Sequence, residues 1–138
     1  MKKLLFLATL LLNMTAVMAQ NSEGYIEVSN AQELKAAIQA NNSAKIQLTD
    51  NIEAPDLRKI CGTFKGTISG RHKAYDENVK DTIDAMYYID GGRDKGGAKT
   101  WLFDRVDGAK FDGILFKNFR VEQQDGNKLG LIAREVVN

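Results

Sequence analysis

The aspartates between positions 84 and 112 are the residues of this sequence best suited to chemistry. Asp84, Asp90 and Asp94 lie near Arg93, and Asp104, Asp107 and Asp112 follow. Clustered carboxylates can supply the several oxygen ligands that Ca²⁺ requires, and a pair of them can act as acid and base on a glycosidic bond. Three of the six, Asp90, Asp107 and Asp112, stand directly before Gly, where a turn accounts for them without any reaction. The chain has one cysteine, Cys61, and one histidine, His72, 11 positions later, with nothing in the spacing to mark them as a catalytic pair. A lone His and a lone Cys do not make a metal site, because no ligand spacing repeats. Both are therefore read as structural, with Cys61 as an unreactive thiol.

Two further stretches invite a binding role. "GGRDKGGAKT" (91–100) looks like a phosphate loop, but Ala98 stands between Gly97 and Lys99 and breaks the spacing that would bring Lys to the phosphates. A surface loop is the simpler reading. The aromatic group Tyr87, Tyr88 and Trp101 offers flat apolar surface of the kind that stacks on sugar rings. Alternate members of the same group would also suit a core.

These residues need elements to place them, and the ends of the chain bound what those elements can be. "MKKLLFLATLLLNMTAVMAQ" has a basic start at Lys2 and Lys3, an apolar run from Leu4 to Leu12, and small residues at Val17 and Ala19. This is the pattern of a secretory signal peptide over 1–19, cut after Ala19. Asn13 and Thr15 interrupt the run well before the ~20 apolar residues that a membrane span needs. No later segment is long enough to cross a bilayer. Removal of 1–19 leaves 119 of 138 residues, enough for one domain, and takes the formal charge from +1 to −1. That balance gives no attraction to nucleic acid. A single Cys in an exported chain leaves no internal disulfide, so stability must come from packing or repetition.

The best helical stretch is "VSNAQELKAAI" (28–38), with Ser29 or Asn30 as cap, Gln32 or Glu33 at capping-box spacing, and Leu34, Ala37 and Ile38 on one stripe. From residue 45 the pattern changes to short strands in "KIQLTDNI", "TFKGTISG", "DTIDAMYYIDGG", "TWLFDRV", "FDGILFKNF" and "LGLIAREVV". Breaks at Cys61-Gly62, Ser69-Gly70, Asp90-Gly91, Asp107-Gly108, Asp112-Gly113 and Asp125-Gly126 separate them. Turns are therefore expected at Gly70, Gly91, Gly108, Gly113 and Gly126.

Two architectures fit this pattern. Asp-Gly between apolar runs is a hairpin turn, which would give a small antiparallel β-sandwich. The alternative is a coil that keeps turning the same way, a parallel β-helix. "FDGILFKNFRVE" (111–122) bears on the choice. Its large apolar residues Phe111, Ile114, Phe116, Phe119 and Val121 are spaced three, two, three, two. A flat strand keeps a period of two. A coil whose strands each point two side chains inward and then bend would skip a step at every bend, which places a corner at Lys117-Asn118.

"VSNAQELKAAI" followed by "KIQLTDNI" resembles the entry of secreted right-handed parallel β-helix proteins, the pectate-lyase-like fold, in which an amphipathic helix caps the first coil. "GTFKGTISGRHKAY" is similar to a phrase these proteins carry next, through Phe64, Gly66, Thr67, Ile68, Gly70 and His72, and the resemblance implies that His72 stands in a turn. "WLFDRVDGAKFDGILFKNFRVEQQDGNKLGLIAREVVN" resembles GLUG-like repeats at Leu102-Phe103, Ala109, Phe111, Leu115, Asn118 and Leu131-Ile132-Ala133. The chain departs from these patterns at Ser69 in the phrase, at Asp104, Leu129 and Arg134 in the repeats, and in the inserts "AYDENVKD" and "GGRDKGGAKT".

The resemblance implies an all-β, right-handed parallel β-helix: an N-terminal segment over 20–44 with the capping helix, then about four coils over 45–138. It further implies an exported, cell-surface or adhesin-like domain without catalysis, whose partner is a polysaccharide or a host or cell-surface glycan. Tyr87, Tyr88 and Trp101 are the candidate contacts. No cofactor is expected. The alternative is the front part of a polysaccharide lyase or glycoside hydrolase acting on an acidic polymer, and only there would Ca²⁺ enter. Because a coil left uncovered exposes apolar surface and strand edges, the C-terminal end is expected to be covered by further coils or by another chain.

Overall fold

The computed structural model describes residues 19–54, 57, 59–92, 102–119 and 133–137, without the side chains of 134–136. Residues 1–18, read from sequence as part of a signal peptide, Trp101, Gly126, residues 93–100 with Arg93 and Asp94, and the segment from Arg120 to Ile132 lie outside the described residues.

The described chain is β-rich with one short helix. Strand β1 (Ile26–Val28) precedes helix α1 (Ala31–Ala40), and β2 (Lys45–Leu48) follows it. Val28, read from sequence as the start of the helix, is instead the buried end of β1. The alternation Ile26, Glu27, Val28 favours a strand, and the helix waits for its cap. Asn30 is that cap: its side chain accepts from the Glu33 amide at 3.0 Å, while the Glu33 carboxylate accepts from the Ser29 amide at 2.8 Å. Glu33 thus satisfies a donor just outside the helix as Asn30 satisfies one inside it, and the Ser29 bonds hold its carboxyl below the usual range. Leu34, Ala37 and Ile38 form the buried stripe. Gln39 Nε2 donates to the Ile60 carbonyl at 3.4 Å.

The remaining strands are β3 (Ile52–Glu53), β4 (Cys61–Phe64), β5 (Thr67–Ser69), β6 (Arg71–Asp76), β7 (Asp81–Asp90), β8 (Phe103–Asp107), β9 (Lys110–Asp112), β10 (Ile114–Lys117) and β11 (Ala133–Val137). All of them except β6 join β1 and β2 in three small parallel sheets. Sheet A has the order β1-β2-β5-β9, sheet B β3-β7-β10, and sheet C β4-β8-β11. From β2 onward, with β6 set aside, the chain visits A, B and C in that order three times, and each strand lies beside its predecessor in the same sheet.

Register stacks like on like. Ile26, Ile46, Ile68 and Phe111 are consecutive partners in sheet A. Ile52, Ile89 and Phe116 are partners in sheet B. In sheet C Phe64 pairs with Val106 and Cys61 with Phe103. Within sheet C the Phe64 and Phe103 rings stack at 4.7 Å, and between the sheets Phe111 lies 6.1 Å from Phe64 and 5.5 Å from Phe116. Such columns bury roughly 1.5–3 kcal/mol of transfer free energy per large side chain, and they favour a single register.

The skipped step in 111–119 has a local cause. Gly108 lies between β8 and β9 with φ +62°, Gly113 between β9 and β10 with φ +55°, and Asn118 after β10 with φ +55°. Each of these bends is left-handed, and each leads toward the next sheet. Gly113 has a further reason to be glycine: a Cβ there would lie 2.9 Å from Arg71 Cβ. At the end of β10, Asn118 takes the left-handed conformation and Phe119 is buried. None of the Asp-Gly sites 90, 107 and 112 makes a hairpin. Their flanking strands pair in parallel with strands of other circuits.

One hairpin does occur, where sequence suggested only a longer turn. β6 and β7 pair antiparallel from Arg71↔Met86 to Asp76↔Asp81. Asp76 makes the turn: its carboxylate accepts from the amides of Asn78 at 2.8 Å and Val79 at 3.3 Å. Its carbonyl accepts from the amide of Lys80, which has φ +59°. An Asx turn closed by a left-handed residue does the work of Asn-Gly without containing it. His72, expected in a turn, is consequently the second residue of β6.

Candidate functional site

Ile89 points into the core, so its neighbours Tyr88 and Asp90 take the opposite face of sheet B. Parallel register extends that face into two rows. Tyr88 pairs with Leu115 of β10, and its amide donates to the Asn51 side chain at 3.1 Å. Asp90 pairs with Glu53 on one side and with Lys117 on the other. Met86 continues the face toward the hairpin.

Lys117 joins the two rows. Its Nζ sits 3.3 Å from the Tyr88 ring centroid and 3.5 Å from Asp90 Oδ2. Ammonium over an aromatic face is attractive, by about 0.5–1 kcal/mol where water has access. Asp90, 8% exposed, is one of the buried polar residues. Its Oδ1 accepts from the Gly92 amide at 2.8 Å and its Oδ2 from Asn118 Nδ2 at 2.9 Å. The Gly92 amide first, then Asn118 and Lys117, hold its carboxyl below the usual range. A buried carboxylate satisfied in this way ties the corner at Asn118 to the preceding circuit. Close contact completes the joint, since a Cβ on Gly91 would lie 2.9 Å from the Asn118 carbonyl and the Phe119 ring.

The three aromatic candidates part company. Tyr88 belongs to this outer face. Tyr87 packs against the core, and the His72 ring stacks on it at 3.8 Å, so that its flat side is already occupied. Trp101 is among the residues not described. Of the turn positions, Gly70 lies between β5 and β6, where a Cβ would meet the Gly113 carbonyl at 2.8 Å. Gly91, Gly108, Gly113 and Asn118 lie at strand ends as described above.

The acidic residues take up ion pairs rather than forming one cluster. Asp84 bonds Lys73 at 2.8 Å, Asp107 Lys65 at 3.4 Å and Asp112 Arg71 at 3.2 Å. The Lys73 bond holds the Asp84 carboxyl below the usual range. Among the described residues no group of three or more His, Cys, Asp or Glu could hold a metal ion, and no helix is long and apolar enough to cross a membrane. Cys61, half-buried on β4, has its thiol pushed up by burial and then by Asp104, away from the thiolate that nucleophilic chemistry needs.

What this face can do is bind. It combines an aromatic ring, an ammonium and two exposed apolar side chains, Leu115 at 51% and Met86 at 59%. Sequence reading missed Lys117, Leu115 and Met86. The available signal was parity: once Ile89 and Phe116 are core, residues 86, 88, 115 and 117 must share the other side. No protein-family model, curated protein or solved structure matches the chain.

Proposed function

We propose that the chain is an exported, non-catalytic domain of a cell-surface or adhesin-like protein, built as a right-handed parallel β-helix and contacting glycans through the outer face of sheet B. The observation that carries this reading is the row Met86, Tyr88, Leu115 and Lys117 on a sheet held by in-register partners. The repeated A, B, C order of parallel strands supports the coil, and the strong preference of parallel crossovers for one hand supports right-handedness. Leu115 and Met86 offer apolar contact to a sugar ring, and Lys117, held over the Tyr88 ring, donates to hydroxyl or carboxylate oxygens. The ion-paired aspartates and the raised Cys61 thiol weigh toward binding over turnover. The N-terminal pattern of 1–19 supports export. The end strands β9, β10 and β11 suit addition of a further coil or of another chain to the sides that no described strand pairs with.

Glycan-array binding by the protein tests this reading, followed by titration of any hit with Tyr88→Ala and Lys117→Ala. Binding without product release, weakened about tenfold by either substitution as expected for loss of an anchor of a binding patch, supports it. Absence of binding across neutral and acidic glycans would count against it, as would binding that both variants retain in full.

A further inference from the structure

The hairpin contributes nothing to the parallel sheets beyond residues 87–90, yet it carries exposed Tyr75, Val79, Ile83 and Met86. A two-stranded ribbon is marginal alone, and an open edge is a template for another strand. The hydrogen-bond pattern shows which groups lie on that edge. The Gly70 carbonyl accepts from the Tyr87 amide at 2.8 Å, so position 70 turns its backbone toward β7. Alternation then sends the backbone groups of Arg71, Lys73 and Tyr75 the other way. Consistent with this, the Arg71 carbonyl accepts from Gln47 Nε2 at 3.2 Å, outside the hairpin. Lys73 and Tyr75 thus present their N–H and C=O groups along the outer edge of β6, with which no described strand pairs.

We propose that this edge is self-complementary and pairs antiparallel with β6 of a second copy of the chain, about a two-fold axis at Ala74. In that register Lys73 of each copy forms a hydrogen-bonded pair with the second copy's Tyr75, and Ala74 faces Ala74. Arg71 comes opposite the second copy's Glu77, and His72 opposite its Asp76. Arg71 and Glu77 are then opposite in sign, a favourable cross-strand pair, and no like charges face one another. Centring the axis one residue earlier sets Lys73 against Lys73, which is unfavourable. The Ala74 register also keeps odd-numbered residues of both strands on one face. Tyr75, 60% exposed, and Met86 of each copy lie on that face together with the Lys73–Asp84 ion pairs. The contact is isologous and closes after two copies. It uses none of the residues of the glycan reading except Met86, and stands or falls separately from it.

Sedimentation of the full chain over micromolar to millimolar concentrations tests this pairing. A reversible monomer–dimer equilibrium is expected, and a monomer throughout overturns the proposal. Lys73→Pro removes a donor from the outer edge while leaving the bonds to β7, and should raise the dimer dissociation constant about tenfold or more. An unchanged constant overturns the proposal. Should Lys73→Pro misfold, Glu77→Lys, which sets like charges across the edge, replaces it with the same expected direction. Register is read by oxidation in a Cys61→Ala background. Ala74→Cys should cross-link dimers at least about tenfold faster than Lys73→Cys, since directly opposed non-hydrogen-bonded positions lie within disulfide reach. Faster linking through Lys73→Cys overturns the Ala74 axis.

Discussion

The parallel sheets and the β6–β7 hairpin are both strand pairings, yet different forces hold them. In the sheets each apolar side chain stacks on its counterpart in the next circuit, as Ile46, Ile68 and Phe111 do, and the columns of three sheets meet in one core. In the hairpin the partners are mostly small or charged, such as His72↔Ala85 and Lys73↔Asp84, and both faces reach solvent along much of their length. β7 belongs to both regions. Its residues 81–86 pair only with β6 among the described strands, while 87–90 lie between β3 and β10. Burial of apolar columns therefore sets stability, and hydrogen-bond count does not.

The largest test of that contrast is Phe103→Ala, which removes a fully buried ring stacked on Phe64. A loss of about 3–5 kcal/mol is expected in denaturant unfolding, and a loss below that of an ordinary surface change would break the comparison. Next come the corners. Gly113→Ala forces a Cβ against Arg71 in a left-handed conformation, whereas Gly108→Ala meets open space at similar φ. Gly108→Ala should cost about 1–2 kcal/mol for conformation alone, and Gly113→Ala measurably more in the same assay. Equal losses would mean that the close approach of β6 to the corner carries no weight.

Asp90→Asn tests the joint between circuits. The carboxylate accepts from Gly92 and Asn118 and faces Lys117, so loss of its charge should cost about 1–3 kcal/mol at neutral pH. Its carboxyl lies below the usual range in the folded chain. Its contribution is therefore full above the ordinary carboxylate pKa of about 4 and fades as pH falls through the lower folded value. Unfolding followed from pH 7 into acid should show a shallower decline for Asp90→Asn than for the parent. The smallest effect is expected in the hairpin. Val79→Ser should change stability by no more than about 0.5 kcal/mol, and amides of 72–76 should exchange faster than those of 46–48 by hydrogen-exchange measurement. Equal protection would erase the distinction between the two regions.

Much of the sheet region was legible in the residues. The Asn30 cap with Glu33, the stripe Leu34, Ala37 and Ile38, the alternation around Ile46 and Leu48, and the three-two-three-two spacing after Phe111 are local patterns with local causes. The hairpin was less legible because its turn contains neither Gly nor Pro. Asp76 and Lys80 create it through backbone bonds that composition does not announce. The outer face was legible only in part. Tyr88 stood out as an aromatic, but its partners Leu115 and Lys117 lie 27 and 29 positions later and become neighbours only through register.

The sequence by itself determined the periods: one helical stripe, short strands, and bends where Gly108, Gly113 and Asn118 tolerate left-handed backbone. These depend on side chains a few residues apart and on each residue's own conformational limits. The tertiary structure alone decided which strands became neighbours, that Asp90 would clamp Asn118, that His72 would cover Tyr87 and that Lys117 would cover Tyr88. Each of those contacts joins residues 15 to 29 positions apart; the stacking of one circuit on the next brings Asp90 to Asn118 and Lys117 to Tyr88, and the β6–β7 hairpin brings His72 to Tyr87.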